Sequence, residues 1–347
     1  MQFGLFLNNG AFPDLQGADV FALTLEQAWL AECLGYEEVW VTEHHFIDYG
    51  ICPSALTLAS FLLGRTERIR VGTAVVLAPL QHPVALSEQV ALLDQLSGGR
   101  FDLGLGRGGY LRDYEVLGVP TMRWTAEVDA TLEAVVDALS NDPTSSANGY
   151  FPYDSVRVLP RPLTRPHPPI YVASSSPSSV DRAAQLGLPL QFHFGTDIPG
   201  RVAVIERYNE AAIAAGRDPA QVTHMHAVLC HVEDHEADAR EAVRQGLEHS
   251  YSLGDHPSVM HRASRAHADI SREERVAKTV AASPIGPPDL VQAWFKDFID
   301  QTGASNIALY MEAIGDAPRT LASVHAFAEL VRPHLSASKS KQDWRPH

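Results

Sequence analysis

The feature of this sequence that most restricts its fold is a recurring unit: a short apolar run, a loop, a longer segment with helical spacing, and a glycine where that segment must end. A short apolar run suits a buried parallel strand, and glycine stops a helix because it adopts the left-handed conformation without a Cβ penalty. Phe3 to Leu7 reads as a strand, Asp19 to Leu34 as a helix with Phe21, Leu25, Ala28 and Trp29 at helical spacing, and Gly35 as its stop. Val39 to Val41 is the next strand, Ala55 to Leu63 a helix closed by Gly64, and Ile69 to Leu77 a third strand. Pro83 opens a helix to Ser97, and Gly98-Gly99 leads into a strand at Phe101 to Leu105. After a helix at Ala126 to Leu139, further strands are expected at Ile170 to Ala173, Pro189 to Phe194, Val222 to Val232 and Asn306 to Met311, with a closing helix at Arg319 to Leu335.

Eight such units predict the α/β class and a single TIM (β/α)8 barrel over residues 1–335, because open doubly wound sheets carry fewer units per domain. Two stretches interrupt the rhythm. Residues 141–169 are rich in Pro, Ser and Asn and read as an excursion holding a small hairpin, whereas 251–288 lacks apolar periodicity and reads as a mobile lid. Residues 336–347 read as a disordered tail.

If the barrel forms, chemistry belongs just after each strand, where the βα loops build the active face. Glu43-His44-His45 follows the second strand, and a carboxylate beside two imidazoles can supply acid/base groups or metal ligands. The zinc-protease spacing H-E-x-x-H is absent. Gly104-Leu105-Gly106-Arg107-Gly108-Gly109-Tyr110 has the form G-x-G-x-x-G, but no helix opening is evident directly after it and no acidic residue stands at the expected later strand end. It reads as a tight turn in which Arg107 can pair with a phosphate. Ser174-Ser175-Ser176-Pro177-Ser178-Ser179 opens a helix after a strand, so its hydroxyls and backbone N–H groups suit an anion, although helix capping alone needs only one serine. His224 and His226 share a strand face near its start and read as structural, with a metal pair as the alternative; His193, near a strand end, is a pocket candidate. Trp40 and Trp124 read as core or interface residues.

Charge restricts the partners. Lys and Arg number 27 against 42 Asp and Glu, a net charge of -15, so the average surface repels phosphate backbones and anionic lipids. Neither nucleic-acid nor membrane binding is expected. The N-terminal apolar run lacks a signal peptide's charged flank and length, and the three cysteines form no C-x-x-C pair, so a cytoplasmic protein with reduced thiols is expected.

Trp40-Val41-Thr42-Glu43-His44-His45-Phe46, Ile69-Arg70-Val71-Gly72-Thr73-Ala74-Val75, His82-Pro83-Val84, Leu92 to Phe101 and Gly106-Arg107-Gly108 together resemble the bacterial-luciferase-like flavin monooxygenases, most strongly the luciferase α chain. The resemblance continues in Pro284-Ile285-Gly286 and in Thr302 to Ile307. It implies a barrel that binds reduced FMN (FMNH2) without a covalent bond, reacts it with O2 to a C4a-(hydro)peroxyflavin and oxygenates a small organic substrate. By that resemblance His44 is the catalytic histidine and Glu43 lies beside the flavin. Ala74-Val75 forms a cis peptide against the ring, and Arg107 with Ser174, Ser175, Ser176 and Ser179 surrounds the phosphate. Tyr110 lies near the isoalloxazine, and 251–288 corresponds to the mobile loop. A separate reductase supplying FMNH2 and a homodimer are also implied. Luciferase α has a reactive cysteine where this chain has Gly106, which is expected to enlarge the pocket, and a glutamate where it has Ser175. These departures favour a substrate other than a fatty aldehyde, and the tailoring of an aromatic polyketide in antibiotic biosynthesis is the favoured reading. The rivals are long-chain aldehyde oxygenation, a deazaflavin (F420)-dependent oxidoreductase, a non-catalytic β-like partner and a metal hydrolase.

Overall fold

The computed structural model describes residues 1–126, 128–147, 151–255 and 270–335. Its first half alternates β1 (Gln2–Leu7), α1 (Ala18–Cys33), β2 (Glu38–Val41), α2 (Ala55–Arg65), β3 (Arg70–Thr73), β4 (Val76–Leu77), α3 (Pro83–Ser97) and β5 (Phe101–Gly106). Short helices α4 (Leu111–Val116) and α5 (Met122–Ala126) precede α6 (Val128–Ser140), and β6 (Thr144–Ser146) pairs antiparallel with β7 (Tyr153–Val156), the hairpin expected in the Pro-rich excursion. The second half runs β8 (Ile170–Val172), α7 (Pro177–Leu186), β9 (Gln191–Phe192), α8 (Ile198–Ala214), β10 (Met225–Leu229), β11 (His231–Val232), α9 (Glu236–Gly254), α10 (Arg272–Ala282), β12 (Ile285–Gly286), α11 (Pro288–Thr302), β13 (Asn306–Tyr310) and α12 (Ala317–Ala326).

The main sheet is parallel and closes on itself. Its order is β5-β3-β2-β1-β13-β10-β9, with β4 continuing beside β5. On its other edge β5 pairs with β8, and β8 reaches the β9 segment through a parallel bridge of Val172 to Leu190, where the Val172 N–H donates to Pro189 O at 2.8 Å. Counting β3 and β4 as one position gives the eight strands of a TIM barrel. Alternation along each strand then makes two cores. Leu5, Val39, Val71, Leu103 and Val172 face outward and pack under the helices, whereas Phe6, Trp40, Met225, Ala227, Ala308 and Tyr310 fill the barrel interior. Gly98, Gly187 and Gly303 end α3, α7 and α11 in the left-handed conformation, as the rhythm of the sequence predicts, whereas Gly64 lies inside α2, which runs on to Arg65 and is capped at Thr66.

The interior base of the barrel is polar. Arg70 Nε and Nη2 donate to the Asp102 carboxylate at 2.8 and 2.5 Å, and Nη1 donates to Gly99 O at 2.9 Å. Beside them Trp40 Nε1 donates to Glu38 Oε1 at 2.6 Å, with Glu38 only 3% exposed.

Three expectations change. The single strand Ile69 to Leu77 is broken into β3 and β4 at the cis bond between Ala74 and Val75. A helix, α4, does open directly after the Gly-rich turn: Leu111, Asp113 and Tyr114 are buried, and the Tyr114 hydroxyl donates to Arg107 O at 2.8 Å, closing the turn onto the helix. Much of the stretch read as irregular is helical, in the last turn of α9 and in α10. Helix α10 fully buries only Val276, with Val280 one turn on packed beside it, so its apolar period is short; a Ser271 N-cap and an ion pair of Lys278 with Glu274 at 3.2 Å add support. Residues 256–269 of the expected lid and the expected tail at 336–347 lie outside the described residues.

Candidate active site

The C-terminal end of β2 delivers the first expected site residues. Both Glu43 oxygens accept backbone N–H groups, Oε1 from Leu77 at 3.1 Å and Oε2 from Ala55 at 3.0 Å. Glu43 thereby ties β2 to β4 and to the first turn of α2. His45 Nε2 lies 3.9 Å from Glu43 Oε1, and this carboxylate raises the His45 pKa. On the other side of His45, burial pushes the carboxyl of Asp113 up to about 6 against the lowering effect of the imidazole.

His44 has a different environment. Its backbone N–H donates to Cys52 O at 2.8 Å, and its ring lies 4.7 Å from that of Tyr49. A Cβ at Gly50 would come within 2.3 Å of His44 Nδ1, so only glycine lets the loop close over the imidazole at this distance. Burial pulls the His44 pKa down to about 3, and His193 and His45 add to that effect. The ring is therefore neutral at physiological pH, and among the described residues its buried Nδ1 has no hydrogen-bond partner. A neutral imidazole can accept or relay a proton.

A cleft of about 220 Å³ opens at the same end of the barrel. Ala74 and Val75, joined by the cis peptide, form one wall, and Ala173, Ser174 and Ser175 form another. Phe6, Gln191, Phe192, His193, Thr196 and Met225 complete it. Gly106 does not enlarge this space, contrary to expectation: a Cβ there would lie 2.8 Å from Val75 Cγ2 and 3.5 Å from Ala173 Cβ, so the Val75 side chain already fills the volume.

Beside the cleft, the loops after β5 and β8 are neighbours because the strands pair, Leu105 to Val172. From the first, exposed Arg107 stacks its guanidinium 4.0 Å from the Trp124 ring centroid and donates to Trp124 O at 3.3 Å. Trp124 is thus a platform for Arg107 as well as a packed residue. From the second, the Ser176 hydroxyl donates to Ser179 Oγ at 3.0 Å and lies 3.1 Å from Ser174 Oγ, a chain of three hydroxyls at the N-terminus of α7. Aligned N–H groups and hydroxyls there can bind an anion, and Arg107 adds a cation. Tyr110 packs against Tyr49, with ring centroids 6.0 Å apart, and so belongs to the cover over His44.

Of the expected residues, Ala74, Val75, Ser174 and Ser175 share the cleft. Glu43, His44, Arg107, Tyr110, Ser176 and Ser179 do not line it; they stand on the segments that follow β2, β5 and β8. Phe6, Gln191, Thr196 and Met225 were not legible in the sequence, since each looks like an ordinary strand or capping residue. Their position in an inward-facing register at the mouth is the only signal. His226 is enclosed against Phe192, with rings stacked 4.8 Å apart, and burial holds its pKa well below the usual value. His224 Nδ1 accepts the Leu190 N–H at 3.0 Å. Both are structural, and among the described residues no cluster of His, Cys, Asp or Glu could hold a metal ion. No helix among the described residues is long and apolar enough to cross a membrane.

The family of luciferase-like monooxygenases matches residues 1–306. The alkanal monooxygenase alpha chain of Photorhabdus luminescens is 30% identical over 362 residues, covering 99% of this chain and 99% of that one. The beta chain from the same organism is 27% identical over 316 residues, covering 91% and 93%. Among solved structures, the monooxygenase RslO1 from Streptomyces bottropensis superposes with a TM-score of 0.85 at 26% identity, covering 97% of this chain and 100% of that chain. With this match along nearly its whole length, and a closed barrel that gathers the expected loops around one cleft, the chain belongs to the luciferase-like monooxygenase family.

Proposed function

We propose that this protein is the oxygenating component of a two-component system, an FMNH2- and O2-dependent monooxygenase acting on a small organic substrate. The observation that carries the reading is that the Ala74-Val75 wall shares one cleft with Ser174 and Ser175, the start of the hydroxyl chain to Ser179, at the barrel end where the neutral ring of His44 is buried. A flat ring suits the cleft walls of small side chains, and a phosphate suits the serine chain with Arg107. Bound reduced flavin supplies the electrons for O2 activation.

The chain's own residues do the rest. Ser174, Ser175, Ser176, Ser179 and Arg107 bind the phosphate. Ala74 and Val75 set the ring plane, and Glu43 fixes that wall by holding the Leu77 N–H. His44, buried and neutral, accepts or returns a proton through its imidazole, while Tyr49 and Tyr110 keep water from it. The proposed substrate is an aromatic polyketide or a similar secondary metabolite, a reading in keeping with the likeness to a Streptomyces monooxygenase. A separate flavin reductase delivers FMNH2. Trp29, Phe61, Leu92 and Leu96, 59%, 54%, 46% and 74% exposed on the successive helices α1, α2 and α3, support a homodimer. With the acidic surface, this gives a cytoplasmic enzyme without nucleic-acid or membrane partners.

The test is product analysis by mass spectrometry with FMNH2, 18O2 and a panel of aldehydes and aromatic polyketides. One 18O atom in an aromatic product supports the proposal. Label in a fatty acid alone reassigns the substrate to aldehydes, and absence of FMN binding with stoichiometric zinc overturns the reading.

A further inference from the structure

Facing the Ala74-Val75 wall, the segment after β9 brings His193 and Thr196 into the cleft. His193 Nδ1 accepts the backbone N–H of Gly195 at 3.0 Å. A nitrogen that accepts carries no hydrogen, so in the neutral ring the hydrogen resides on Nε2, on the side of the imidazole away from Gly195. The ring is further fixed against Phe194, with centroids 4.0 Å apart.

The backbone of this segment is held from behind by an unusual group. Arg201, 2% exposed on the first turn of α8, meets no carboxylate among its hydrogen-bond partners. Its Nη2 donates to His193 O at 2.9 Å and to Ala227 O at 2.7 Å, and its Nε donates to Thr196 O at 2.8 Å. Nη1 lies 3.3 Å from His226 Nδ1, and the guanidinium packs between Phe192 and Phe298 at 5.7 and 5.4 Å. Enclosing a cation against carbonyls alone is costly, and removing it would leave those carbonyls unsatisfied. What it joins is specific: the cleft segment at both its first and last lining residues, and strand β10.

We infer that His193 is a ligand-facing hydrogen-bond donor, held by Gly195 and Arg201, that donates from Nε2 to an acceptor atom on the bound flavin ring. Arg201 is its positioning residue. The inference rests on the flavin reading above and adds a residue to it. A neutral donor favours the more electron-rich reduced ring over the oxidised one.

The test measures FMN affinity and the midpoint potential of bound FMN for wild type, His193→Leu, His193→Gln and Arg201→Lys. In His193→Leu, reduced FMN should bind about five- to tenfold more weakly than in wild type, the scale of one hydrogen bond. If oxidised FMN is held as before, the potential falls by about 20–30 mV for this two-electron couple. His193→Gln, which keeps an N–H donor, should recover most of the shift. Arg201→Lys should lower the potential in the same direction and add little in combination with His193→Leu. Wild-type affinity and potential in His193→Leu overturn the inference, as does a glutamine variant no better than leucine, which would indicate packing alone. Failure of the wild type to bind FMN overturns the flavin reading itself.

Discussion

Replacing Glu38 by glutamine should make the protein more resistant to alkaline destabilisation while leaving it nearly unchanged in acid. Glu38 is buried at the base of the barrel, accepts the Trp40 indole N–H, and lies near Asp102, whose own charge is already matched by Arg70. Burial is the main cause that raises its pKa to about 8, from 4.5 in an ordinary setting, and Asp102 adds to it. The folded protein therefore holds a proton that the unfolded chain has released, and this contribution to stability is complete below 4.5 and lost as pH rises through 8. At about 1.4 kcal/mol per unit, the loss between pH 5 and 9 amounts to about 4 kcal/mol, an upper figure because water entry and relaxation moderate it. Glutamine keeps an oxygen for Trp40 and has no proton to lose. Urea unfolding of wild type and Glu38→Gln at pH 5, 7 and 9 gives the comparison free of all other titrating groups. The stability difference should move steadily in favour of the variant as pH rises. A difference that stays constant with pH would refute the claim that a protonated carboxyl sits beneath the catalytic cleft.

Three further outcomes are expected. His44→Ala should bind FMN within about threefold of wild type and lose product formation by about a hundredfold or more, the scale of general acid/base catalysis; unchanged turnover removes His44 from the chemistry. Gly106→Ala should destabilise the fold by about 1–3 kcal/mol through contact with Val75 Cγ2, and Val75→Ala should relieve it in the double variant, as denaturant melts can show. The pKa of His224 is lowered to about 4 by burial, so its contribution to stability is present above about pH 6.5 and lost as pH falls toward 4. His224→Gln should flatten the acid limb of the stability curve by about 1–2 kcal/mol, since the ring is only half-buried, and parallel limbs would contradict this.

Much of the barrel was legible because its outer core obeys a local rule. Leu5, Val39, Val71 and Leu103 lie in apolar runs, and glycines stand where the helices must end. What was hidden depends on contacts distant in sequence. The break between Thr73 and Val76 leaves the apolar run intact, so Ile69 to Leu77 still reads as one strand. Helix α10 lays only a narrow face, Val276 and Val280 with Arg275 and Thr279, against its neighbours, a signal two residues wide that charged residues on the other faces obscure. The polar base of Glu38, Arg70 and Asp102 looks in sequence like solvent-facing positions on ordinary strands: pairing of β2, β3 and β5 brings the three together, and only barrel closure turns that face inward. In the site, histidines, serines and Arg107 stood out by residue type, whereas Phe6, Gln191, Thr196 and Met225 differ from core residues only in depth. The meaning of Gly106 was also inaccessible, since it turns on which side chain fills the space across the strand pair.

Gly50 carries a consequence for how this enzyme would respond to mutation. Even a methyl group there would meet His44 Nδ1 at 2.3 Å. A saturation scan scored by turnover would place position 50 beside position 44, and every substitution would reduce activity irrespective of polarity or charge. Intolerance that ignores chemical character is the mark of a residue needed for its emptiness, and the placement of the His44 ring depends on that emptiness.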